Sequence, residues 1–576
     1  MKSPWEIPFF RSRYLLAIIA GLLWTGAFPK IGIAGFAWIA PGLMVGAALG
    51  KSGAEVFRLG YIAGFVHYLT MLYWLLLIPY RWHGIPFGPA LGWAALSAFL
   101  AIFPAAWVWC CVRSLKSEGQ NRATEDRRQQ SEIRGQEKEG AQETVVRERG
   151  VFARSWGGRT GWAIAGAAAW VGWEMVLARI LGGFPWDLLG VSQYQMVPLI
   201  QITSVTGIYG LSFLVVWVSL AMLSAALMVI RRPTARSVWI GEVFIPICLA
   251  AILFNLGFRQ VRSQNEPERT LKVLFVQPSI PQTLIWDSNN DAERLHELIR
   301  LSEQGLKEPV DLVIWPESAV PRMLRYDQTT FDAITALAKS HRSWIILASD
   351  DQEPRHGSAN REEADYFNSS FLINPEGKVV ERYIKRNLVI FGEYVPLQNW
   401  LPFLKYFTPI EGGFTPGTQA VPFELKGLGL KTHVLICFED VFPQLARKDI
   451  DSDTDFLINL TNDGWFGEGA AQWQQAASAL FRAVENRAPL LRCSNNGLTC
   501  WIDAAGRLRQ IFRDEHGSVY GPGVMRAEVS LRKPGQNRPL TFYTRHGDWF
   551  GWSCLAAGIV WAGLKAFRAF KVRAAE

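Results

Sequence analysis

Residues 433–440 read HVLICFED, an apolar run that stops at Cys437 and is followed at once by Phe438, Glu439 and Asp440. A short run with no polar alternation, rich in β-branched residues, fits a strand covered on both faces. Five more runs of this kind surround it: LKVLFVQP (271–278), VDLVIWPE (310–317), WIILASD (344–350), SSFLINP (369–375) and DFLINLTND (455–463). Amphipathic stretches at 291–305 and 470–487 lie between some of them. Strands alternating with helices predict an α/β domain over about 259–540. Several runs close on a polar or reactive residue (Glu317, Asp350, Cys437, Asp463), and in open α/β sheets sites gather at strand ends.

Outside this region the composition changes. The chain has 576 residues, 49% hydrophobic and only 19% charged, with 25 Trp and 34 Phe. That excludes a disordered, collagen-like, coiled-coil or disulfide-stapled architecture. Apolar stretches near membrane-spanning length recur at 14–29, 31–50, 59–79, 88–112, 161–181, 205–230 and 239–257, with one more at 549–567. The expected organisation is a seven-span half over 1–258, the α/β domain, and a C-terminal span with a basic tail over 541–576. Lys and Arg concentrate in alternate loops: Arg11 and Arg13, Lys51 and Arg58, the 113–160 segment, Arg231, Arg232 and Arg236, then Lys565, Arg568, Lys571 and Arg573. By the positive-inside bias, both termini are cytoplasmic and the α/β domain lies outside. The net charge of +8 is thereby a topology signal, and no nucleic-acid partner is expected. The 113–150 segment mixes charges with almost no apolar residues and is expected to be disordered. Seven Cys show no CxxC, so neither a metal site nor a cofactor is expected.

Three residues of the α/β region carry chemistry. A Cys thiolate is a strong nucleophile, a nearby Lys lowers thiol pKa and faces an oxyanion, and a carboxylate can move the proton. Cys437, Lys385 and Glu317 are one of each. Taken singly they have plainer readings as a buried structural Cys, an exposed charge run and a solvated acid. Spacing alone does not bring them together.

The motifs WPES (315–318), Lys385 eight residues before Glu393 in FGEYVP (391–396), CFED (437–440) and NDGWFG (462–467) resemble the nitrilase superfamily. With GFPW (183–186), RCSNNG (492–497), YTRHGDW (543–549) and the many spans, the chain is most similar to the bacterial apolipoprotein N-acyltransferase family within it. The resemblance implies an αββα sandwich, joined to the bundle of about eight transmembrane helices read from the apolar stretches. It implies Glu317 as general base, Lys385 as thiolate and oxyanion stabiliser, and Cys437 as nucleophile. Glu393, Glu439 and Phe438 would support them, with Trp286 and Trp465 near the substrate. Trp400, Phe403 and Phe407, in the apolar stretch 399–414, would form an arm reaching the bilayer, unless that stretch packs on its own domain. Phe438 stands where the family has Tyr, Ile390 where it has Pro and Ser279 where it has Asn. The implied reaction moves a fatty acyl chain from a membrane phospholipid, through a Cys437 thioester, to the α-amino group of a diacylglyceryl apolipoprotein. The implied setting is the bacterial inner membrane, with a monomer expected. A membrane-tethered amidase or thioesterase, or a paralogue with another acceptor, are the alternatives. Cys493 and Cys500 are expected to be dispensable and free to pair with each other.

Overall fold

The computed structural model describes residues 12–79, 87–114, 155–231, 236–263, 269–285, 287–355, 363–396, 400, 413–533 and 536–574. The N-terminal part is helical: α1 (Arg13–Gly26), α2 (Ala40–Ala48), α3 (Gly53–Met71), α4 (Gly88–Ser114), α5 (Trp156–Leu177), α6 (Ile208–Arg231) and α7 (Arg236–Arg262). Among the described residues, three helical stretches, Gly88–Ser114, Ile208–Ile230 and Trp239–Arg262, are long and apolar enough to cross a bilayer. The expected span at 31–50 is not one helix. A 3-10 turn at Ala34–Trp38 precedes α2, which has nine residues and Pro41 in its first turn. At 1.5 Å per residue, nine residues cover roughly 14 Å, about half a hydrocarbon core. The expected span at 59–79 likewise ends at Met71 and continues as a 3-10 turn over Tyr73–Leu77. The one at 161–181 gives way after Leu177. α7 runs to Arg262, past the boundary drawn at 258, and α4 runs through 113 and 114, the expected start of the charged insert. The remainder of that insert lies outside the described residues.

Two six-stranded sheets follow. The first has the order β12 (Gly523–Leu531), β1 (Arg269–Gln277), β2 (Leu312–Ile314), β3 (Trp344–Pro354), β4 (Ala364–Ile373), β5 (Val379–Ile384). The second has β11 (Leu508–Ile511), β10 (Cys500–Ile502), β9 (Leu490–Ser494), β8 (Phe456–Thr461), β7 (Leu430–Ile436), β6 (Phe423–Leu425). Strands β1, β2 and β3 are parallel, as are β7, β8 and β9, with antiparallel strands at the edges.

The unbroken apolar runs follow from this layering. Val273 and Phe275 of β1 face the inter-sheet core with Ile436, Ile458 and Leu491. Leu274 and Val276 point the other way, against Leu298 and Leu301 of α8 (Asp291–Gly305) and Ile334 and Leu337 of α9 (Gln328–His341). On the second sheet, Leu457 and Leu490 pack with Leu480 and Val484 of α10 (Ala471–Asn486), in a core continuous with the membrane helices. α10 is thus clamped between sheet and bundle, and every residue of it but Trp473 is buried. Much of its polar face is tied down by hydrogen bonds. Gln474 Oε1 accepts the indole N–H of both Trp74 and Trp186 at 2.9 Å, and its Nε2 donates to the Pro29 carbonyl at 3.2 Å. Glu485 accepts the Ile208 N–H, one of the donors that α6 leaves unpaired at its start. The last helix, α11 (Trp549–Ala574), returns to the bundle beside α5.

Candidate active site

Strand β7 ends at Ile436, and the chain turns through a 3-10 segment from Cys437 to Val441. Cys437 occupies the left-handed region at φ 53°, which costs a non-glycine residue energy and persists only where its surroundings over-determine it. They do so here. Its carbonyl accepts from Asn459 Nδ2 at 3.0 Å and Gln475 Nε2 at 2.9 Å. Glu439, two residues on, is fully buried and gathers the N–H groups of Ile436, Arg386 and Asn387 and the Tyr383 hydroxyl within 2.8–3.0 Å. The turn that carries Cys437 is thereby tied to the stretch that follows β5.

That stretch carries Lys385, whose own N–H donates to the Asn368 carbonyl. The Lys385 ammonium is 1% exposed and lies 2.8 Å from Glu393 Oε1 and 3.2 Å from Glu317 Oε1. Asn368 Nδ2 bridges the same two carboxylate oxygens, at 2.8 Å to Glu317 and 3.0 Å to Glu393. The second oxygen of Glu317 accepts the Asn462 N–H at 3.0 Å, and that of Glu393 the Val389 N–H at 2.8 Å. Burial alone would lower the lysine pKa, but Glu317, Glu393 and Cys437 together hold it well above the ordinary value. Lys385 is therefore charged at any working pH. Burial and the Glu317 carboxylate push the Cys437 thiol well up, against the pull of Lys385 and the Thr461 hydroxyl. The net direction is opposite to that expected from a neighbouring lysine alone, and this environment favours the thiol over the thiolate.

A second buried network braces the turn from behind. Arg492 of β9 is fully buried and forks between Asp440 Oδ2, Asn459 Oδ1 and both oxygens of Asp463, at 2.7–3.0 Å. Asp463 begins the NDGWFG turn, so one guanidinium links the loops after β7 and β8.

Glu317, Lys385, Cys437, Glu393 and Glu439 converge at one end of the two sheets. Trp465 lies in the Asp463–Phe466 turn beside Asn462. The Phe438 ring packs on Trp186, with centroids 6.0 Å apart, and on Phe184 and Phe442. It joins the site to the membrane half. Trp400 is 84% exposed. Trp286, Phe403 and Phe407 lie outside the described residues. Ile390 sits in the turn that presents Glu393, closed by the Glu393 N–H on the Val389 carbonyl. Ser279 adopts φ 53°, its hydroxyl donating to the Tyr520 carbonyl. Cys493 and Cys500 are free. Cys500 is in register with Arg492, one residue away from Cys493, so the two thiols face opposite sides of the sheet and cannot pair. Among the described residues no cluster of His, Cys, Asp or Glu could hold a metal. Sequence reasoning overlooked Asn368, Asn459 and Arg492. For Asn459 and Arg492 the signal was a polar residue among apolar neighbours in a short strand, whereas β4 around Asn368 reads ADYFNSSFLI and gave no such contrast.

Asp350 is not at a strand end; it lies within β3, opposite Asn368. Burial, then Glu317 and Glu393, raise its carboxyl from 3.8 to about 7. A raised carboxyl binds its proton more tightly folded than unfolded, so its contribution to stability declines as pH rises from about 4 to 7 and stays unfavourable above. Asp350→Asn is expected to raise the melting temperature more at pH 8 than at pH 5. A gain independent of pH in thermal denaturation would rule this titration out.

Comparison with known proteins defines the class first. The carbon-nitrogen hydrolase family matches residues 273–521, and the apolipoprotein N-acyltransferase N-terminal domain matches 20–125 and 143–221. An apolipoprotein N-acyltransferase of Geobacter metallireducens is 32% identical over 97% of this chain and 96% of its own length. One from Rhizobium rhizogenes is 30% identical over 90% and 92%, and one from Rickettsia prowazekii 32% identical over 59% and 65%. The chain belongs to the apolipoprotein N-acyltransferase family.

Proposed function

We propose that this enzyme transfers an acyl chain from a membrane phospholipid to the α-amino group of the N-terminal diacylglyceryl-cysteine of apolipoproteins, through a thioester on Cys437. The observation that carries this reading is the buried Glu317–Lys385 pair beside Cys437, at a junction with apolar helices where Phe438 packs on Trp186. Cys437 Sγ attacks the phospholipid ester carbon as Glu317 takes the thiol proton. Lys385 faces the oxyanion, aided by the backbone N–H of Phe438. Collapse expels the glycerol oxygen, which receives the proton from Glu317 and leaves as lysophospholipid. The acceptor amine then attacks the thioester carbon, Glu317 takes its proton, and the departing sulfur of Cys437 regains it. Lys385 stays charged throughout, so the proton carrier is the carboxylate.

The lipid setting favours this over an amidase releasing product to water. Both substrates are anchored in one membrane, and Phe438, next to Cys437, packs directly on Trp186 of the helical half. The expectation remains a bundle of about eight helices in the inner membrane, including the shorter helices and α11, with the α/β half outside and both termini cytoplasmic. Trp286, Trp465, Trp400, Phe403 and Phe407 would contact the lipids. Mass spectrometry of the protein incubated with phospholipid alone tests the chemistry. The expected result is an acyl-sized, hydroxylamine-labile adduct on Cys437 that disappears on adding a diacylglyceryl peptide. An adduct on another residue, or none, would overturn the reading. For topology, a single new Cys near residue 355 in a Cys-free background should react with an impermeant probe on intact spheroplasts. Labelling only after lysis would reverse the orientation.

A further inference from the structure

Between the active site and the middle of the bundle lies a small cleft of about 40 Å³ that the mechanism above does not use. Its walls include Trp24, Trp107, Trp170 and Trp186, and two acids reach it, Glu174 and Asp187. Asp187 is 5% exposed, and neither of its carboxylate oxygens has a hydrogen-bond partner among the described residues. Glu174 is 7% exposed; its Oε1 accepts the Trp170 indole N–H and the Leu189 N–H, and its Oε2 has no partner. Among the described residues no Lys or Arg pairs with either acid. The nearby cation Arg179 is engaged by Asp548. Asp187 also stands in the left-handed region at φ 51°.

Two unsatisfied carboxylate edges in one apolar cleft are costly, because a buried polar group without a partner loses its hydration for nothing in return. A strained backbone under one of them adds to that cost. Native folds keep such features where a ligand completes them. A ligand that fits must donate several N–H bonds, carry positive charge to meet the acids, and be small and compatible with aromatic walls. An alkylammonium group has these properties: three donors, a compact charge, and attraction to indole faces. Metal cations do not fit, since hard ions take six or more oxygens and softer ones need His or Cys, and the cleft offers two carboxylates among indoles.

We propose that Asp187 and Glu174, with the surrounding indoles, form a seat for a primary ammonium group of a substrate. The seat adjoins the nucleophile: Trp186 is a wall of the cleft and also packs on Phe438, which follows Cys437. The Trp186 indole N–H is fixed by Gln474, which holds the shared wall in place. The proposal rests on the acyl-transfer reading only for the source of the amine. Two substrates of that reaction can supply one: a donor phospholipid with an ethanolamine head group, or the free α-amine of the acceptor.

The test separates the seat from the chemistry by measuring binding in full-length Cys437→Ala protein, which cannot be acylated. Calorimetric titrations would use four short-chain probes: a phosphatidylethanolamine, a phosphatidylglycerol, a diacylglyceryl-cysteine peptide with a free α-amine, and the same peptide N-acetylated. The expected result is that at least one free-amine probe binds more tightly than its amine-free counterpart. Adding Asp187→Asn, which keeps the shape, should weaken that probe about tenfold, the scale of one lost charge-assisted hydrogen bond, and leave the amine-free probes unchanged. Asp187→Glu, which keeps the charge, should recover part of the loss. Selective loss on the lipid assigns the seat to the donor head group, and selective loss on the peptide assigns it to the acceptor. Equal binding of all probes by both proteins, or an equal loss across all four, would overturn the proposal. A missing adduct on Cys437 in wild type, with Asp187-dependent binding intact, would instead sink the acyl-transfer reading and leave the seat standing.

Discussion

Lys385→Ala is expected to leave Cys437 unloaded when phospholipid is supplied alone. The substitution removes the cation wedged between Glu317 and Glu393, at 3.2 and 2.8 Å. Two carboxylates that share one ammonium then face each other in a buried site, and one of them must take up a proton. If Glu317 does so, the base is lost. The thiol, already pushed up by burial and by Glu317, also loses its opposing charge. The oxyanion loses a charged partner, an effect of about 3–4 kcal/mol, or roughly a hundredfold to a thousandfold in rate. Acyl-enzyme formation, followed by quench and mass spectrometry, measures it. Loading at the wild-type rate would remove Lys385 from the reaction. Lys385→Arg is a useful companion, since it retains charge but not the compact ammonium that fits between two oxygens.

The second large effect is on stability. Arg492→Ala should destabilise the chain by about 3–5 kcal/mol, because it strands Asp440 and Asp463 as buried acids without their counter-ion. Even with Arg492 present, burial raises the Asp440 carboxyl to about 7. Without it, the turns carrying Cys437 and Asn462 lose their common anchor. Combining Arg492→Met with Asp440→Asn and Asp463→Asn should restore part of the stability, since an uncharged network avoids the desolvation of three ions. Thermal unfolding of the full chain in detergent reports both. An Arg492→Ala protein as stable as wild type would show that the network is dispensable.

Much of this site was legible because chemistry-bearing residues fall at the ends of apolar runs. The runs at 310–317, 433–440 and 455–463 placed Glu317, Cys437 and Asp463 at the correct ends of their strands. Half of the strands were not legible from apolar runs. β9 reads LLRCS and β11 reads LRQI, and each breaks the apolar pattern with charge. In β9 that charge is Arg492, buried because two acids from the turns after β7 and β8 meet it, a partnership no local window contains. β12 was readable in principle, since its burial alternates along its second half as period-two logic requires. The spans misled for a related reason. Hydropathy over 31–50 records that the segment avoids water, but Pro41 and the glycines around it break the helix. The amphipathic pattern of 470–487 pointed to a helix but not to the burial of both its faces, one against the sheet and one against the bundle.

That face imposes an order on biosynthesis. Gln474 is 400 residues from Trp74 and 288 from Trp186 along the chain, yet both indoles depend on its amide for a partner. The ribosome releases the N-terminal helices first, so Trp74 and Trp186 wait without their acceptor until α10 has been made and has docked on the bundle. The same holds for the start of α6, whose Ile208 N–H waits for Glu485, 277 residues later. Contacts of such long sequence separation close late. The nascent membrane half is therefore an incomplete object with open polar positions, and it matures only when the catalytic half docks, so insertion and activation are steps of a single assembly event.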